Sequence, residues 1–289
     1  MSSPDELPPL RTVIETLELN AKKSLGQNFI LDLNLTQRIA RLGGPLDGHT
    51  IIEIGPGPGG LTRGLLLQGA SRVIAVERDG RVRPAIGQLQ TAWPGQISPL
   101  FEDALSVDWP TAISTLDVTG PVSIVANLPY GIATKLLTGW LETMPWPPWF
   151  ARMALMFQRE VADRIVAAPE TKAYGRLAVL SQWRCHVDRA LTLTPDAFTP
   201  PPKVDSAVVV FEPKPAEPAF ANVDPQVLGA ITAAAFGQRR KMLRQSLKSV
   251  TPMPELLLQR AGIEGTRRAE TLSVSEFLKL ATVLGSRNL

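Results

Sequence analysis

Short apolar runs alternate with longer stretches of mixed polarity through residues 21–213. The runs at 50–54 and 122–126 are rich in β-branched residues, which is typical of strands buried in a sheet. The segments that follow such runs have helical patterns, as at 61–68 and 132–142. This alternation predicts an α/β fold with helices on both faces of the sheet.

The pattern changes after Pro213. The segment from Pro213 to Pro218 is rich in proline and is predicted to be a linker. After it the chain has helical patterns only, and the N-terminal residues are predicted to form a weakly ordered arm with one short helix. We therefore predict an arm at 1–20, an α/β domain at 21–213 and a small all-α domain at 214–289.

The composition limits the class of protein. The chain has 289 residues, of which 44% are hydrophobic and 20% charged, a balance typical of globular proteins. No apolar run approaches the ~20 residues that span a bilayer, and the polar, acidic N-terminus is unlike a secretory signal. The single cysteine, Cys185, excludes an internal disulfide and a cysteine-cluster metal site. We expect a cytoplasmic protein without a membrane or metal partner, and a monomer because no dimerisation stripe is evident.

Basic residues are concentrated near the C-terminus. The whole chain has a net charge of +3, whereas residues 214–289 contain eleven basic and six acidic residues, a net of +5. Arg240, Arg244 and Lys248 recur every four residues, which on one helix would give a basic face suited to phosphate contacts. A polyanionic partner and a solvated helical surface explain this charge equally well. The candidate phosphate-binding residues are Lys22, Lys23, Arg239, Arg240, Lys241, Arg244 and Lys248.

A glycine-rich loop follows the strand at 50–54. It contains Gly55, Gly57 and Gly60, which let a backbone approach a ligand closely. A helix and a second strand come next, and that strand ends at Glu77, where an acidic side chain can bind both ribose hydroxyls of a nucleoside. This order predicts half of a nucleoside-cofactor site, with a coincidental glycine-rich turn as the alternative.

The glycines alone do not identify the cofactor, because they also fit the dinucleotide pattern G-x-G-x-x-G. Pro56 and Pro58 favour S-adenosylmethionine over NAD, since two prolines remove backbone donors that a pyrophosphate would need. No G-x-x-x-x-G-K-[ST] loop is present in the sequence, which argues against a P-loop ATPase.

The strand at 122–126 is followed by Asn127-Leu128-Pro129-Tyr130. The amide of Asn127 and the carbonyl of Leu128 can accept hydrogen bonds from an exocyclic amine, Pro129 stiffens the backbone, and Tyr130 offers a ring for stacking. Ligands in open α/β sheets bind at the carboxyl ends of strands, so this segment is the predicted reaction site. The alternative is an ordinary strand-to-helix turn.

Two further residues are candidates with open alternatives. Asp103 follows the third predicted strand and could reach an adenine amine of the cofactor or could cap a helix. Phe198 lies in a proline-rich segment and could sit at a loop edge against a base or fill the core.

These segments together resemble the ribosomal RNA adenine N6,N6-dimethyltransferases, the kasugamycin-sensitivity enzymes related to the erythromycin-resistance methyltransferases. The matching segments read KKSLGQNFILD, IIEIGPGPGGLT, VIAVERD, VANLPY, QREVADR, YGRLAVLSQ, FTPPPKVDSAV and FGQRRKMLRQSLK. The resemblance implies a Rossmann-like class I methyltransferase sheet with a helical C-terminal domain. It also implies dimethylation of two adjacent adenines in a hairpin near the 3′ end of 16S rRNA, on a small-subunit precursor late in ribosome assembly.

The resemblance also implies roles for individual residues. Asn127, Leu128, Pro129 and Tyr130 would hold the target adenine with the help of Phe198, and the C-terminal domain would grip rRNA. The S-adenosylmethionine site would be formed by Asn28, Ile30, Gly55, Gly57, Glu77, Asp103 and Asn127. Two other functions stay open: a ribosome-assembly factor that keeps the fold without needing catalysis, and an NAD-dependent oxidoreductase.

Overall fold

A computed structural model describes residues 4–19 and 27–286 of the chain. Its strands are β1 Thr50–Ile54, β2 Arg72–Val76, β3 Ile97–Leu100, β4 Val122–Asn127, β5 Arg152–Gln158, β6 Cys185–Leu193 and β7 Ser206–Pro213. They form one sheet in the order β3-β2-β1-β4-β5-β7-β6. The first five strands pair in parallel and β7 pairs antiparallel to β5, so the predicted α/β class is confirmed.

Twelve α-helices accompany the sheet within the described residues. They are α1 Leu10–Thr16, α2 Leu33–Arg41, α3 Gly60–Leu67, α4 Arg83–Ala92, α5 Trp109–Thr115, α6 Tyr130–Leu141, α7 Arg159–Ile165, α8 Arg176–Arg184, α9 Pro225–Gly237, α10 Leu243–Ser246, α11 Pro254–Arg260 and α12 Val274–Gly285. After β7 the described chain contains helices and turns but no strand, as the sequence pattern predicts.

Parallel pairing brings several strand ends to one edge of the sheet. Ile54 at the end of β1 pairs with Val76 at the end of β2, and Val76 pairs with Leu100 at the end of β3. β4 is the neighbour of β1 on the other side and ends at Asn127. The segments that follow these strands therefore leave the sheet at the same edge, where the candidate site lies.

Helix α2, which precedes β1 in the chain, has a capped N-terminus. Asp32 precedes α2, and its side chain accepts hydrogen bonds from the backbone N–H groups of Asn34 and Leu35. α2 packs closely on α3, because a Cβ atom at Gly64 would lie 2.7 Å from the backbone of Thr36. A side chain at position 64 would therefore separate the two helices.

The chain divides into two compact units. The first contains residues 1–137, 149–159 and 188–212, and the second contains residues 138–148, 160–187 and 213–289. The second unit thus includes chain from before the predicted linker as well as the C-terminal helices. The domain boundaries predicted from the sequence stay a prediction.

The second unit has its own apolar core. Buried aliphatic side chains from α8 to α12 surround a group of aromatic rings. The rings of Tyr174 and Phe236 are 5.7 Å apart in an edge-to-face arrangement, and Phe236 lies 5.4 Å from Phe277.

The basic segment after α9 is not one helix, so the prediction of a continuous basic face is wrong. α9 ends at Gly237, and Leu243 begins the separate four-residue helix α10. The N–H of Leu243 donates to the carbonyl of Arg267, and the N–H of Arg244 donates to that of Gly265. Tertiary hydrogen bonds thus replace the i to i−4 bonds that a continuous helix would need.

Arg239 serves this turn as an internal anchor. Its guanidinium donates to the backbone carbonyls of Thr171, Lys172 and Tyr174 at 2.9–3.1 Å. The carboxylate of Glu270 lies 3.9 Å from its Nε. These partners occupy the donors that a phosphate would use, so Arg239 differs from the exposed cations beside it.

Replacing Arg239 should therefore lower the stability of the fold. We expect Arg239→Ala to reduce the free energy of unfolding by about 1–3 kcal/mol, because charge-assisted hydrogen bonds to three carbonyls are lost. Arg240→Ala is the matched control, since Arg240 is exposed and should change stability by less than about 0.5 kcal/mol. Urea unfolding measures both variants; equal stabilities would contradict the anchoring role.

Candidate active site

The carboxyl ends of β1, β2 and β4 surround a cavity of about 440 Å³. Its walls come from the glycine loop, from the segments after β2 and β3, and from Asn127 and Pro129 at the end of β4. The residues predicted to bind the cofactor all line this one cavity: Asn28, Ile30, Gly55, Gly57, Glu77, Asp103 and Asn127. The sequence motifs are thus brought together in space.

The glycine loop has no room for a side chain at Gly57 or at Gly59. Gly57 has a φ of +53°, and a Cβ atom there would lie 2.9 Å from the ring of Phe29. Gly59 has a φ of +90°, and a Cβ atom there would lie 2.4 Å from the side chain of Leu89. Both positions combine left-handed backbone with close packing, so a side chain at either would strain the loop and displace it.

Glu77 is held by the backbone at the end of β2. Its Oε1 accepts the N–H of Asp79 at 2.8 Å, and its Oε2 accepts the N–H of Gly57 at 3.4 Å. Burial raises the pKa of this carboxyl, while the backbone hydrogen bonds lower it. These bonds leave lone pairs on both oxygens, so the carboxylate can accept hydroxyl groups from the cavity.

Asp103 is followed by a turn and not by a helix, so the helix-capping alternative does not apply. Its Oδ1 accepts the N–H of Leu105 at 3.0 Å, which is a local turn bond. Its Oδ2 lies 3.3 Å from the guanidinium of Arg78. The side chain nevertheless lines the cavity, where an amine could still reach a free lone pair.

Asn127 ends β4 with a fixed side-chain orientation. Its Nδ2 donates to the backbone carbonyl of Asn28 at 2.9 Å, although the two residues are 99 positions apart. This bond points Oδ1, the acceptor of the amide, away from Asn28. The loop at Asn28 is itself tied down, because Phe29 and Thr199 exchange two backbone hydrogen bonds of 2.8 and 2.9 Å.

Of the rest of the predicted base-binding group, Pro129 lines the cavity, whereas Leu128, Tyr130 and Phe198 do not. Of these described residues, Leu128 is 1% exposed and Tyr130 begins α6, where its hydroxyl lies 2.5 Å from that of Ser206. Phe198 is 3% exposed and belongs to the apolar core, so the expected position at a loop edge is wrong and the core alternative applies. Its part in holding a base stays a prediction.

A buried acidic residue of the cavity, Glu53, was not predicted from the sequence. Glu53 lies within β1, is 1% exposed, and accepts a hydrogen bond of 2.6 Å from the hydroxyl of Thr62. Burial, and secondarily repulsion from Glu77, raises the pKa of Glu53 to about 8. The signal was present in the sequence, because an acid inside a buried apolar run requires a partner.

The candidate phosphate-binding residues have different surroundings. Lys22 and Lys23 lie outside the described residues. Arg240, Lys241, Arg244 and Lys248 are exposed, whereas Arg239 is half-buried in the contacts given above. The exposed group is spread over the turn after α9, α10 and the 3₁₀ turn Leu247–Ser249.

Comparison with known proteins identifies the family. The family "Ribosomal RNA adenine dimethylase" matches residues 18–285. The chain belongs to the ribosomal RNA adenine dimethylase family. Curated relatives named "Ribosomal RNA small subunit methyltransferase A" include one from Cereibacter sphaeroides, 56% identical over 97% of this chain and 98% of its own length. Another, from Bradyrhizobium sp., is 54% identical over 100% of this chain and 99% of its own length.

Solved structures show the same fold. A dimethyladenosine transferase from Plasmodium falciparum has a TM-score of 0.69 and 22% identity, covering 84% of this chain and 93% of its own. The 23S rRNA methyltransferase ErmE has a TM-score of 0.63 and 24% identity, and the match covers 90% of this chain and 100% of the ErmE chain. The predicted class I methyltransferase fold is thereby confirmed.

Membership of the ribosomal RNA adenine dimethylase family confirms the predicted enzyme class, an rRNA adenine dimethyltransferase, and decides against an NAD-dependent oxidoreductase. It implies a methyl donor of the S-adenosylmethionine type and an rRNA substrate. No helix in the described chain is long and apolar enough to cross a membrane. The same residues contain no group of three or more His, Cys, Asp or Glu side chains that could hold a metal ion.

The buried Glu53 should make stability depend on pH. From about pH 5 to about pH 8 the folded protein keeps a proton on Glu53 that the unfolded chain releases, so stability falls as pH rises. The free energy of unfolding should fall by an amount on the order of 2–4 kcal/mol over this pH range, and Glu53→Gln should abolish this decrease. Urea unfolding at several pH values tests this. Parallel curves for the two proteins would contradict it.

Proposed function

We propose that this enzyme transfers methyl groups from S-adenosylmethionine to N6 of two adjacent adenines near the 3′ end of 16S rRNA, on a small-subunit precursor. The observation that carries the proposal is the hydrogen bond from Asn127 to the Asn28 carbonyl. It fixes an amide acceptor at the mouth of a cavity lined by every predicted cofactor-binding residue. A substrate within the ribosome implies that the enzyme works in the cytoplasm, with a monomer as the simplest form.

The residues of the cavity suit a nucleoside cofactor. Glu77 can accept the ribose hydroxyls, since backbone donors hold its carboxylate in place. Asp103 can accept the adenine amine, and the Gly55–Gly57 backbone permits close approach to the rest of the molecule. The apolar side chain of Ile30, 6% exposed, provides a packing surface.

S-adenosylmethionine would supply an electrophilic methyl group on a sulfonium centre. The protein must then activate the nucleophile, because the N6 lone pair of adenine is shared with the purine ring. Hydrogen bonds from N6 to Asn127 Oδ1 and to the Leu128 carbonyl would favour a tetrahedral nitrogen with its lone pair directed at the methyl group. Orientation and a preorganised acceptor therefore provide most of the rate enhancement.

This scheme needs no strong base. N6 becomes acidic when it is methylated and can release its proton to water. Neither His49 nor His186 lines the cavity, and the carboxyl of Glu53, which does line it, is 1% exposed and bonded to the hydroxyl of Thr62. Asn127 and the Leu128 carbonyl are thus suited to hydrogen bonding rather than to proton abstraction.

The target adenine must leave its stack before it can reach Asn127, at a cost of a few kcal/mol. Pro129 keeps the backbone rigid, and the ring of Tyr130 is a candidate stacking surface beside it. Phe198 could assist only if it left its buried position. The exposed cations Arg240, Lys241, Arg244 and Lys248, with Lys22 and Lys23, are candidates for phosphate contacts that hold the rRNA.

The decisive experiment uses small ribosomal subunits that lack the modification. Labelled methyl groups from S-adenosylmethionine are offered with unmodified subunits, naked 16S rRNA or modified subunits, and nucleosides are analysed. We expect N6,N6-dimethyladenosine at two adjacent adenines of the unmodified subunits. Binding of the cofactor without any transfer would instead support an assembly factor that does not need catalysis.

Asn127→Ala should lower the turnover number by about 10²–10³-fold, because the fixed acceptor for N6 is lost. Asn34→Ala is the control, since Asn34 is exposed on α2 of the same unit. Single-turnover methyl transfer under saturating S-adenosylmethionine measures the effect. Near-normal turnover by Asn127→Ala, with cofactor binding intact, would rule out this mechanism.

Glu77→Gln should weaken S-adenosylmethionine binding by about 10–100-fold, because a charged acceptor for the ribose is replaced by a neutral amide. Glu102→Gln is the matched control: Glu102 lines the same cavity but is exposed, and its replacement should change the affinity by less than about threefold. Isothermal titration calorimetry measures both. If Glu77→Gln bound S-adenosylmethionine as tightly as the wild-type enzyme does, Glu77 would not be a ligand of the cofactor.

A further inference from the structure

Ser206 forms a contact that the reaction scheme above does not use. It is the first residue of β7, is 0% exposed, and places its Oγ 2.5 Å from the hydroxyl of Tyr130. Tyr130 is the last residue of the Asn127–Tyr130 segment and the first of α6. The hydrogen bond therefore joins the predicted base-holding segment to the strand that follows the proline-rich segment containing Phe198.

The position of Ser206 is fixed by its neighbours. It pairs with Gln158 in the antiparallel ladder between β5 and β7. The preceding Asp205 accepts the N–H of Arg159 at 2.9 Å, and its carboxylate lies 3.1 Å from the Arg159 guanidinium. Ser206 is thus a rigid partner within the sheet.

The side chain of Tyr130 is less restrained by its neighbours than that of Ser206. Its ring is only partly buried, and it lies at the start of a helix directly after Pro129. A tyrosine side chain turns about two torsions, and a hydrogen bond at its far end restricts both. The bond to Ser206 involves only the hydroxyl of Tyr130, whereas a base would stack on the faces of the ring.

We propose that Ser206 is a positioning residue for methyl transfer: its hydroxyl holds the phenol of Tyr130, so that the ring keeps one orientation beside Asn127 when the target adenine is bound. This inference rests on the proposed function, because it assigns the base-holding role to Tyr130. Ser206 itself touches neither adenine nor cofactor.

A double-mutant cycle tests whether Ser206 acts through Tyr130. We expect Ser206→Ala and Tyr130→Phe each to lower the turnover number by about tenfold, with S-adenosylmethionine affinity within about twofold of wild type. Because both changes remove the same hydrogen bond, the double variant should be no slower than either single variant. The proposal would be overturned if the loss of turnover in the double variant were the product of the two single losses. Normal turnover by Ser206→Ala would also overturn it.

A second measurement needs neither rRNA nor cofactor. The chain has only two tyrosines, Tyr130 and Tyr174. Burial raises the pKa of both, and the bond to Ser206 opposes this shift at Tyr130. Among the described residues, the buried hydroxyl of Tyr174 has no hydrogen-bond partner, so a Tyr174→Phe background should fold and leave Tyr130 as the sole source of tyrosinate absorbance.

In that background, Ser206→Ala should raise the pKa of Tyr130 further, as measured by tyrosinate absorbance during an alkaline titration. An unchanged midpoint would show that the two hydroxyls are not bonded and would overturn the proposal. Far-ultraviolet circular dichroism at each pH confirms that the fold persists. If the wild-type enzyme made no dimethyladenosine, the proposed function would fail, but this titration would still decide whether Ser206 holds Tyr130.

Discussion

The site depends on the parallel alignment of β1 to β4. These strands run in the same direction, and Ile54, Val76 and Leu100 at the ends of β1, β2 and β3 lie side by side. The segments that follow the strands therefore leave the sheet at one edge. The glycine loop, Glu77, Asp103 and Asn127 come from four separate parts of the chain. Their common position at the cavity is a consequence of strand direction, and no local feature of any one segment could produce it.

Hydrogen bonds between loops add a second level of order. Asn127 is bonded to the Asn28 carbonyl, the Asn28–Phe29 segment is bonded to Thr199, and Tyr130 is bonded to Ser206. These contacts connect the predicted cofactor-binding and base-binding segments within the first unit. Such preorganisation suits a reaction in which little proton chemistry is needed and the enzyme mainly has to hold two partners in line.

Burial determines the electrostatics of the cavity. Glu53 and Glu77 are both largely removed from water, which raises the pKa of each, and repulsion from Glu77 adds to the shift at Glu53. Their roles differ because their hydrogen bonds differ. Glu77 is held by backbone donors at the cavity wall, whereas Glu53 is enclosed and bonded to Thr62. The same residue type thus serves as a candidate ligand in one place and as a buried, proton-binding group in the other.

The sequence predicts the α/β class, the family and seven residues of the cavity lining, because strands, glycine turns and acidic strand ends are local patterns. It did not determine the path of residues 236–248, where tertiary hydrogen bonds from Leu243 and Arg244 end the helical repeat. It left the burial of Phe198 open, and it missed the separate role of Arg239 and the hydrogen bond between Tyr130 and Ser206. These features were decided by the tertiary structure, because each depends on which distant backbone or side-chain group lies within hydrogen-bonding or packing distance.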